Sequence, residues 1–289
     1  MEEEKALIMK SELKILLVSD THAEWPNFDK FRIWFQKNKP EYDLVILSGD
    51  YGETTFEFKD HDVEELTQKT EAQIQKTLAF FQELIQKTII FIPGNHDIWK
   101  LYSKKEGSGD LLENIHAKSF EIQENLVVLG LGGAMKSIYK SPSGEFSLVW
   151  EESPYTEERF TSDLFEVYNK AHRRHSHDVK FILLTHIGAF QSPTSVIDIE
   201  RDLPNDFFQG LYYPGSKGIT ALLNENDRFL CHIHGHSHEG VGFQKGKSKT
   251  CSTINPGALL LAQFGELHLK RDKDSQWKIA AYNQHTLRE

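Results

Sequence analysis

Aspartate, asparagine and histidine recur in this chain immediately after short apolar runs. KILLVS leads into Asp20-Thr21-His22, and LVILS leads into Gly49-Asp50. TIIFI leads into Pro93-Gly94-Asn95-His96-Asp97, KFILLT into His186, and FLCHIH into Gly235-His236-Ser237-His238. Imidazole and carboxylate without thiolate suit Mn²⁺, Fe, Zn²⁺ or Ni²⁺ better than a structural zinc. A carboxylate can be shared between two cations, and an asparagine adds a neutral oxygen that keeps the ligand charge low. Two divalent cations about 3.5–4 Å apart can activate a water and clamp a phosphoryl group. The chemistry suggested is a pair of metals held by side chains from several parts of the chain.

Those residues need a scaffold that brings five chain segments to one edge. The apolar runs Lys14–Ser19, Leu44–Ser48, Thr88–Ile92, Leu126–Leu131, Lys180–Thr185 and Phe229–His234 have the length of buried strands. Helical spacing covers about 63–86, with Leu66, Ile74, Leu78, Phe81 and Ile85 on one face, and a shorter helix is expected over 28–38. Apolar strands alternating with helices give βαβ units and a sheet buried on both faces. In such sheets ligands bind beyond the carboxyl ends of the strands, where all five polar clusters fall. The later runs CSTIN and ELHLKR are more amphipathic and read as sheet edges.

The ordered set D-x-H, G-D, G-N-H-D, T-H and G-H-x-H resembles the calcineurin-like metallophosphoesterase superfamily, from Leu16 to about Pro256. The resemblance implies an α/β fold of two packed, mostly mixed β-sheets flanked by helices in four layers. It implies two divalent metal ions (Mn, Fe, Zn or Ni, with Mn favoured). Asp20, His22 and His238 would hold the first, Asn95, His186 and His236 the second, with Asp50 bridging. His96 would touch the scissile phosphate and protonate the leaving oxygen, and Asp97 would orient that imidazole through a hydrogen bond.

In FLCHIHGHSHEG, His232, His234, His236 and His238 occupy every second position. The Gly235 turn is expected to lift the last two into the metal site, on one side of an extended backbone. His232 and His234 read as packing histidines. The DxH histidine and GNHD block are similar to phosphodiesterase-type members. Glu53, read otherwise as a cap or a solvated residue, stands where purple acid phosphatases carry a tyrosine. GNHD also differs from the GNHE of phosphoprotein phosphatases. The expected function is hydrolysis of a small phosphodiester or nucleotide. Alternatives are a broad phosphomonoesterase, or a catalytically silent scaffold subunit, which usually shows eroded ligands; here none is eroded.

Composition sets the outer limits. The chain has 289 residues, 39% hydrophobic and 26% charged, and a net charge of −10. That charge argues against a nucleic-acid backbone or an anionic membrane as partner. Two cysteines, Cys231 and Cys251, make no disulfide framework, and MEEEKALIMKSELK lacks the apolar core of a signal peptide. No apolar run approaches the roughly 20 residues that span a bilayer. The expectation is a cytoplasmic protein acting on a small phosphate ester, a single domain over 1–289 with insertions near 99–160 and 187–218. Trp99, Tyr102, Tyr212 and Tyr213 could stack on a base or simply pack. AHRRHSH (171–177) reads as a solvated helix end, and GLGG (130–133) and NPG (255–257) read as turns.

Overall fold

The computed structural model describes residues 10–53, 63–97, 111–135, 137–140, 146–150, 155–198, 211–212, 215–246 and 251–288. The chain opens with β1 (Glu12–Val18), α1 (Trp25–Asn38), β2 (Leu44–Leu47), α2 (Val63–Ile85) and β3 (Ile89–Phe91). Next come β4 (Leu112–Asn114), β5 (Lys118–Gln123), β6 (Leu126–Leu131), β7 (Ser137–Lys140) and β8 (Phe146–Trp150). They are followed by α3 (Glu157–Arg174), β9 (Lys180–Thr185), β10 (Ile197–Asp198), β11 (Leu211–Tyr212), α4 (Lys217–Glu225) and β12 (Phe229–Ile233). The chain finishes with β13 (Gly242–Gln244), β14 (Ser252–Asn255), β15 (Gln263–Arg271) and β16 (Trp277–Thr286).

Two six-stranded mixed sheets form, in the orders β16-β15-β1-β2-β3-β4 and β13-β14-β12-β9-β6-β5. β1 through β4 run parallel in the first, and β6, β9, β12 and β14 run parallel in the second. Side-chain alternation along each strand builds the layers. Leu13, Ile15 and Leu17 of β1 meet Ile182 and Leu184 of β9 and Cys231 and Ile233 of β12 between the sheets. The intervening Leu16 and Val18 pack with Phe28 and Phe31 of α1 and Ile74, Leu78, Phe81 and Ile85 of α2. On the far side, Val127, Leu129, Phe181 and Leu183 pack with Phe160 and Leu164 of α3 and Ile219 and Leu222 of α4. The result is helices, sheet, sheet, helices. Each fully buried Leu, Ile or Phe contributes roughly 1.5–3 kcal/mol, so these layers dominate stability.

Helix ends follow local rules. Pro26 sits in the first turn of α1, and Lys39 closes it in the left-handed conformation at φ 46°. Thr156 caps α3 by accepting the Arg159 N–H, and His172, Arg173 and Arg174 occupy its last turn beside the negative dipole end. The basic run is therefore a helix terminus, as its composition suggests.

Two expectations about strands are corrected. CSTIN and ELHLKR are interior: β14 lies between β13 and β12, and β15 between β16 and β1. Their polar alternation reflects a partly exposed face, since Phe264, Leu267 and Leu269 of β15 are buried while Glu266, His268 and Lys270 are less so. The stretch after Trp99 also supplies framework, because β4 and β5 each extend a sheet. Trp99, Tyr102 and Tyr213, together with the side chains of Leu66 and Tyr212, lie outside the described residues.

Candidate metal centre

The ends of β1, β2, β3, β9 and β12 meet at one rim, and the backbone there is unusual. Asp20, His22, Asp50 and His236 all have positive φ, at 50°, 44°, 57° and 65°. Non-glycine residues rarely adopt this conformation, and it persists where surrounding contacts over-determine it. Here the Asp20 N–H donates to Gly49 O (3.0 Å) and the Thr21 N–H to Asp50 O (2.8 Å). Gly235 N–H donates to His186 O (2.9 Å), and the His236 N–H to the Asp20 carboxylate (3.0 Å to Oδ2). Close approach also demands glycine. A Cβ on Gly235 would stand 1.8 Å from Ser19 Oγ, and one on Gly94 would stand 2.1 Å from Asp50 Oδ1.

This folding gathers ligand atoms into three groups, each within 4.8 Å internally: Asp20, His22 and His238; His22, Asp50 and His96; and Asp50, His186 and His236. Asp50 Oδ2 lies 3.7 Å from His22 Nε2 and 3.2 Å from His186 Nε2, so one carboxylate oxygen faces a histidine of each outer group. Asn95 joins the second group, its Oδ1 being 3.0 Å from His186 Nε2. His238 Nε2 stands 3.4 Å from Asp20 Oδ1. All seven residues expected to hold metal are neighbours, with His96 beside them, its ring 4.8 Å from that of His22.

Hydrogen bonds fix which nitrogen each imidazole presents. His186 Nδ1 donates to the Ser48 carbonyl at 2.8 Å, which leaves Nε2 facing Asp50 and Asn95. His22 Nδ1 lies 2.6 Å from Glu53 Oε2, and its buried Nε2 has no hydrogen-bond partner among the described residues. Supporting one ring nitrogen so that the other is free is the usual arrangement of a metal-binding histidine. The donor set, two carboxylates, an amide and imidazoles with a bare buried Nε2, fits divalent cations.

Glu53 was missed as a working residue. A cap or solvated role does not describe it, since it contacts His22 and its Oε1 stands 3.6 Å from His96 Nδ1. Among the described residues, the expected hydrogen bond from the His96 ring to the Asp97 carboxylate is not formed. Asp97 Oδ2 accepts the N–H groups of Asp50 and Gly94, and Oδ1 those of Tyr51 and Gly52. Its carboxylate turns inward to the chain after β2 because four backbone donors converge there. The expected extended geometry at His236–His238 is corrected as well. The left-handed residue at His236 reverses the chain and sends the two imidazoles to different groups.

Burial and the close packing of carboxylates and imidazoles shift most of the ionisable groups here. Burial pushes the His22 imidazole down, yet the Glu53 hydrogen bond and the Asp50 charge carry it up to about 9. His186 also rises to about 9, because Asp50 outweighs its complete burial. Burial works against ionising Asp20 and Asp50, but the His238 hydrogen bond for the former and the His186 charge for the latter hold both well below the usual range. Burial and the Asp50 charge lift Asp97 to about 7 despite its backbone donors. His236 is driven by burial down to about 3, and His96 is lowered by burial too.

The two remaining histidines of the run are fully buried. Thr185 Oγ1 gives its proton to Ile187 O (2.6 Å), so His232 Nε2 donates to that hydroxyl at 2.7 Å. His234 stacks on His232 with ring centres 5.1 Å apart. Neither belongs to a metal group among the described residues. Cys231 and Cys251 are free. No helix among the described residues is long and apolar enough to cross a membrane.

Residues 13–240 match the sequence model of the calcineurin-like phosphoesterase family, and the chain belongs to that family. It is accordingly a metal-dependent hydrolase of phosphoric esters. A solved crystal structure 14% identical to this chain aligns over 96% of it and 100% of the other, with a TM-score of 0.61. The protein TT1561 of Thermus thermophilus, 13% identical, aligns over 96% of this chain and 99% of its own, with a TM-score of 0.56. Both likenesses concern the fold. No curated protein matches the chain by sequence.

Proposed function

We propose that the chain hydrolyses a small phosphodiester or a nucleotide at a centre of two divalent cations, with Mn²⁺ the favoured metal. The observation that carries this reading is the Asp50 oxygen lying 3.7 Å from His22 and 3.2 Å from His186, a bridging position between two groups of ligands. Asp20, His22 and His238 would hold one cation, Asn95, His186 and His236 the other, and Asp50 both. Bound there, such a pair lowers the pKa of water toward neutrality and neutralises phosphoryl charge.

The chain's own residues do the rest. His96 is buried beside His22, and its N–H backbone group donates to Asp50 Oδ1 at 2.8 Å, which ties the proton donor to the bridging carboxylate. In this reading its imidazole contacts a phosphoryl oxygen and gives a proton to the leaving oxygen. Glu53 steadies the imidazoles of His22 and His96, and Asp97 holds the 50–52 turn. Retention of His22 in DxH and of the GNHD block favours a diester over a monoester. The test is turnover of bis-p-nitrophenyl phosphate and p-nitrophenyl phosphate by Mn²⁺-loaded protein. Activity on the diester, removed by chelation and by Asp50→Asn, is the expected result. Loaded protein inert toward both esters would overturn it.

A further inference from the structure

His234 sits between the segments that carry His186 and His236 and belongs to none of the candidate metal groups among the described residues, and its partners assign both ring nitrogens. Nδ1 lies 3.0 Å from the Gly235 carbonyl, which can only accept, so Nδ1 carries the proton. Nε2 therefore accepts from Thr194 Oγ1 at 2.8 Å. With the Thr194 proton so used, the Ser192 hydroxyl donates to Thr194 Oγ1 at 2.9 Å. Asn255 ties the same pieces again, its Nδ2 donating to Thr194 O at 3.1 Å and to Ser237 O at 2.7 Å. Space is equally close: a Cβ on Gly188 would stand 2.8 Å from the His234 ring, and one on Gly240 would stand 2.1 Å from Thr194 O.

The segment that leaves His186 and the loop that carries His236 and His238 are thus one hydrogen-bonded unit, joined at His234. The left-handed residue His236 lies in that loop, flanked by the Gly235 carbonyl that His234 holds and the Ser237 carbonyl that Asn255 holds. We propose that His234 is a positioning residue: through Thr194 it fixes the turn at His236 and so directs His236 and His238 to different cations. This rests on the two-cation reading above.

Metal-free wild-type protein and the variants His234→Leu, His234→Gln and Thr194→Val are titrated with Co²⁺, followed by calorimetry and visible absorption. Leucine fills ring volume without polar atoms, whereas glutamine keeps an acceptor for Thr194. Thr194→Val removes the same bond with the ring intact, so the question stands even where His234→Leu does not fold. The expected result is two binding events in wild type. His234→Leu and Thr194→Val should weaken Co²⁺ affinity roughly 10–100-fold and alter the absorption bands, as removal of a ligand's outer support does, and His234→Gln should recover most of both. A merely structural histidine would lower melting temperatures and leave affinity and bands alone. Two wild-type-like events with unchanged spectra in Thr194→Val would overturn the inference. Wild type taking fewer than two cations would instead defeat the two-cation reading, and this inference with it.

Discussion

One carboxylate serves two imidazoles: Glu53 Oε2 lies 2.6 Å from His22 Nδ1, and Glu53 Oε1 lies 3.6 Å from His96 Nδ1. In the proposed reading the first ring would hold a cation and the second would meet the substrate. Glu53 is itself anchored by its N–H donating to Gln73 Oε1 on α2 at 2.9 Å. A helix that packs the first sheet thereby sets the attitude of both rings.

Replacing Glu53 should separate those two roles. Glu53→Ala is expected to weaken cation binding at the Asp20–His22–His238 group by roughly 10–100-fold. kcat should also fall at saturating metal, because His96 loses its carboxylate neighbour. Titration calorimetry reads the first effect, and steady-state kinetics in excess Mn²⁺ the second. Wild-type values in both would show that Glu53 is only a solvated residue.

Metal binding should displace protons from two particular histidines. Their carboxylate neighbours raise His22 and His186 to about 9 each, above the 6.5 of an ordinary imidazole. A folded-state pKa that is raised adds stability which is complete below about pH 6.5 and fades as pH climbs through about 9. Metal-free protein should therefore lose stability across that window. A cation needs the neutral rings, so its affinity, and the stabilisation it brings, should grow over the same interval. Melting curves with and without Mn²⁺ should diverge as pH rises. Calorimetry in buffers of different ionisation enthalpy should register proton release on loading. Curves that stay parallel would contradict the argument.

Asp97 offers a different contrast, between a residue that orients a ring and one that holds a turn. Its carboxylate accepts four backbone N–H groups from Asp50, Tyr51, Gly52 and Gly94. Asp97→Asn turns an amide NH₂ toward some of those donors, and a buried donor left unmatched costs about 1–3 kcal/mol. The expected outcome is a lower denaturation midpoint and reduced activity, with the pH profile of kcat unshifted. A shifted profile at unchanged stability would restore the ring-orienting role.

Much of this was readable beforehand because strand period and strand end are local properties. The stretches 15–18, 44–47, 89–92 and 181–184 are apolar throughout, as strands covered on both faces must be, and their polar followers mark the rim. β4, with only Leu112–Asn114, is too short to leave a period. β15 looked like an edge because polarity reports exposure of a face, whereas position in a sheet depends on a partner strand far along the chain. The finer chemistry was hidden by left-handed backbone at Asp20, His22, Asp50 and His236, which no spacing rule anticipates. That backbone brings Glu53 to His22, turns Asp97 toward the chain, and replaces the extended path between His236 and His238 with a turn.

The tightest of these contacts gives the sharpest test. A Cβ added to Gly94 would stand 2.1 Å from Asp50 Oδ1 and 2.5 Å from the Asp50 backbone nitrogen. Neither atom can rotate away: the nitrogen is main chain bonded to Asp97, and Oδ1 accepts the His96 N–H. Gly94→Ala must therefore push the Asp50 carboxylate off its place between His22 and His186. Overpacking of this kind costs about 1–3 kcal/mol, and here the strain falls on the residue that both cations would share. Folded Gly94→Ala protein should show a lower melting temperature and weakened uptake of both cations together, measured by elemental analysis after dialysis. Ester hydrolysis should fall with it. A variant that kept full metal content and wild-type turnover would mean that Asp50 does not hold the position argued for it.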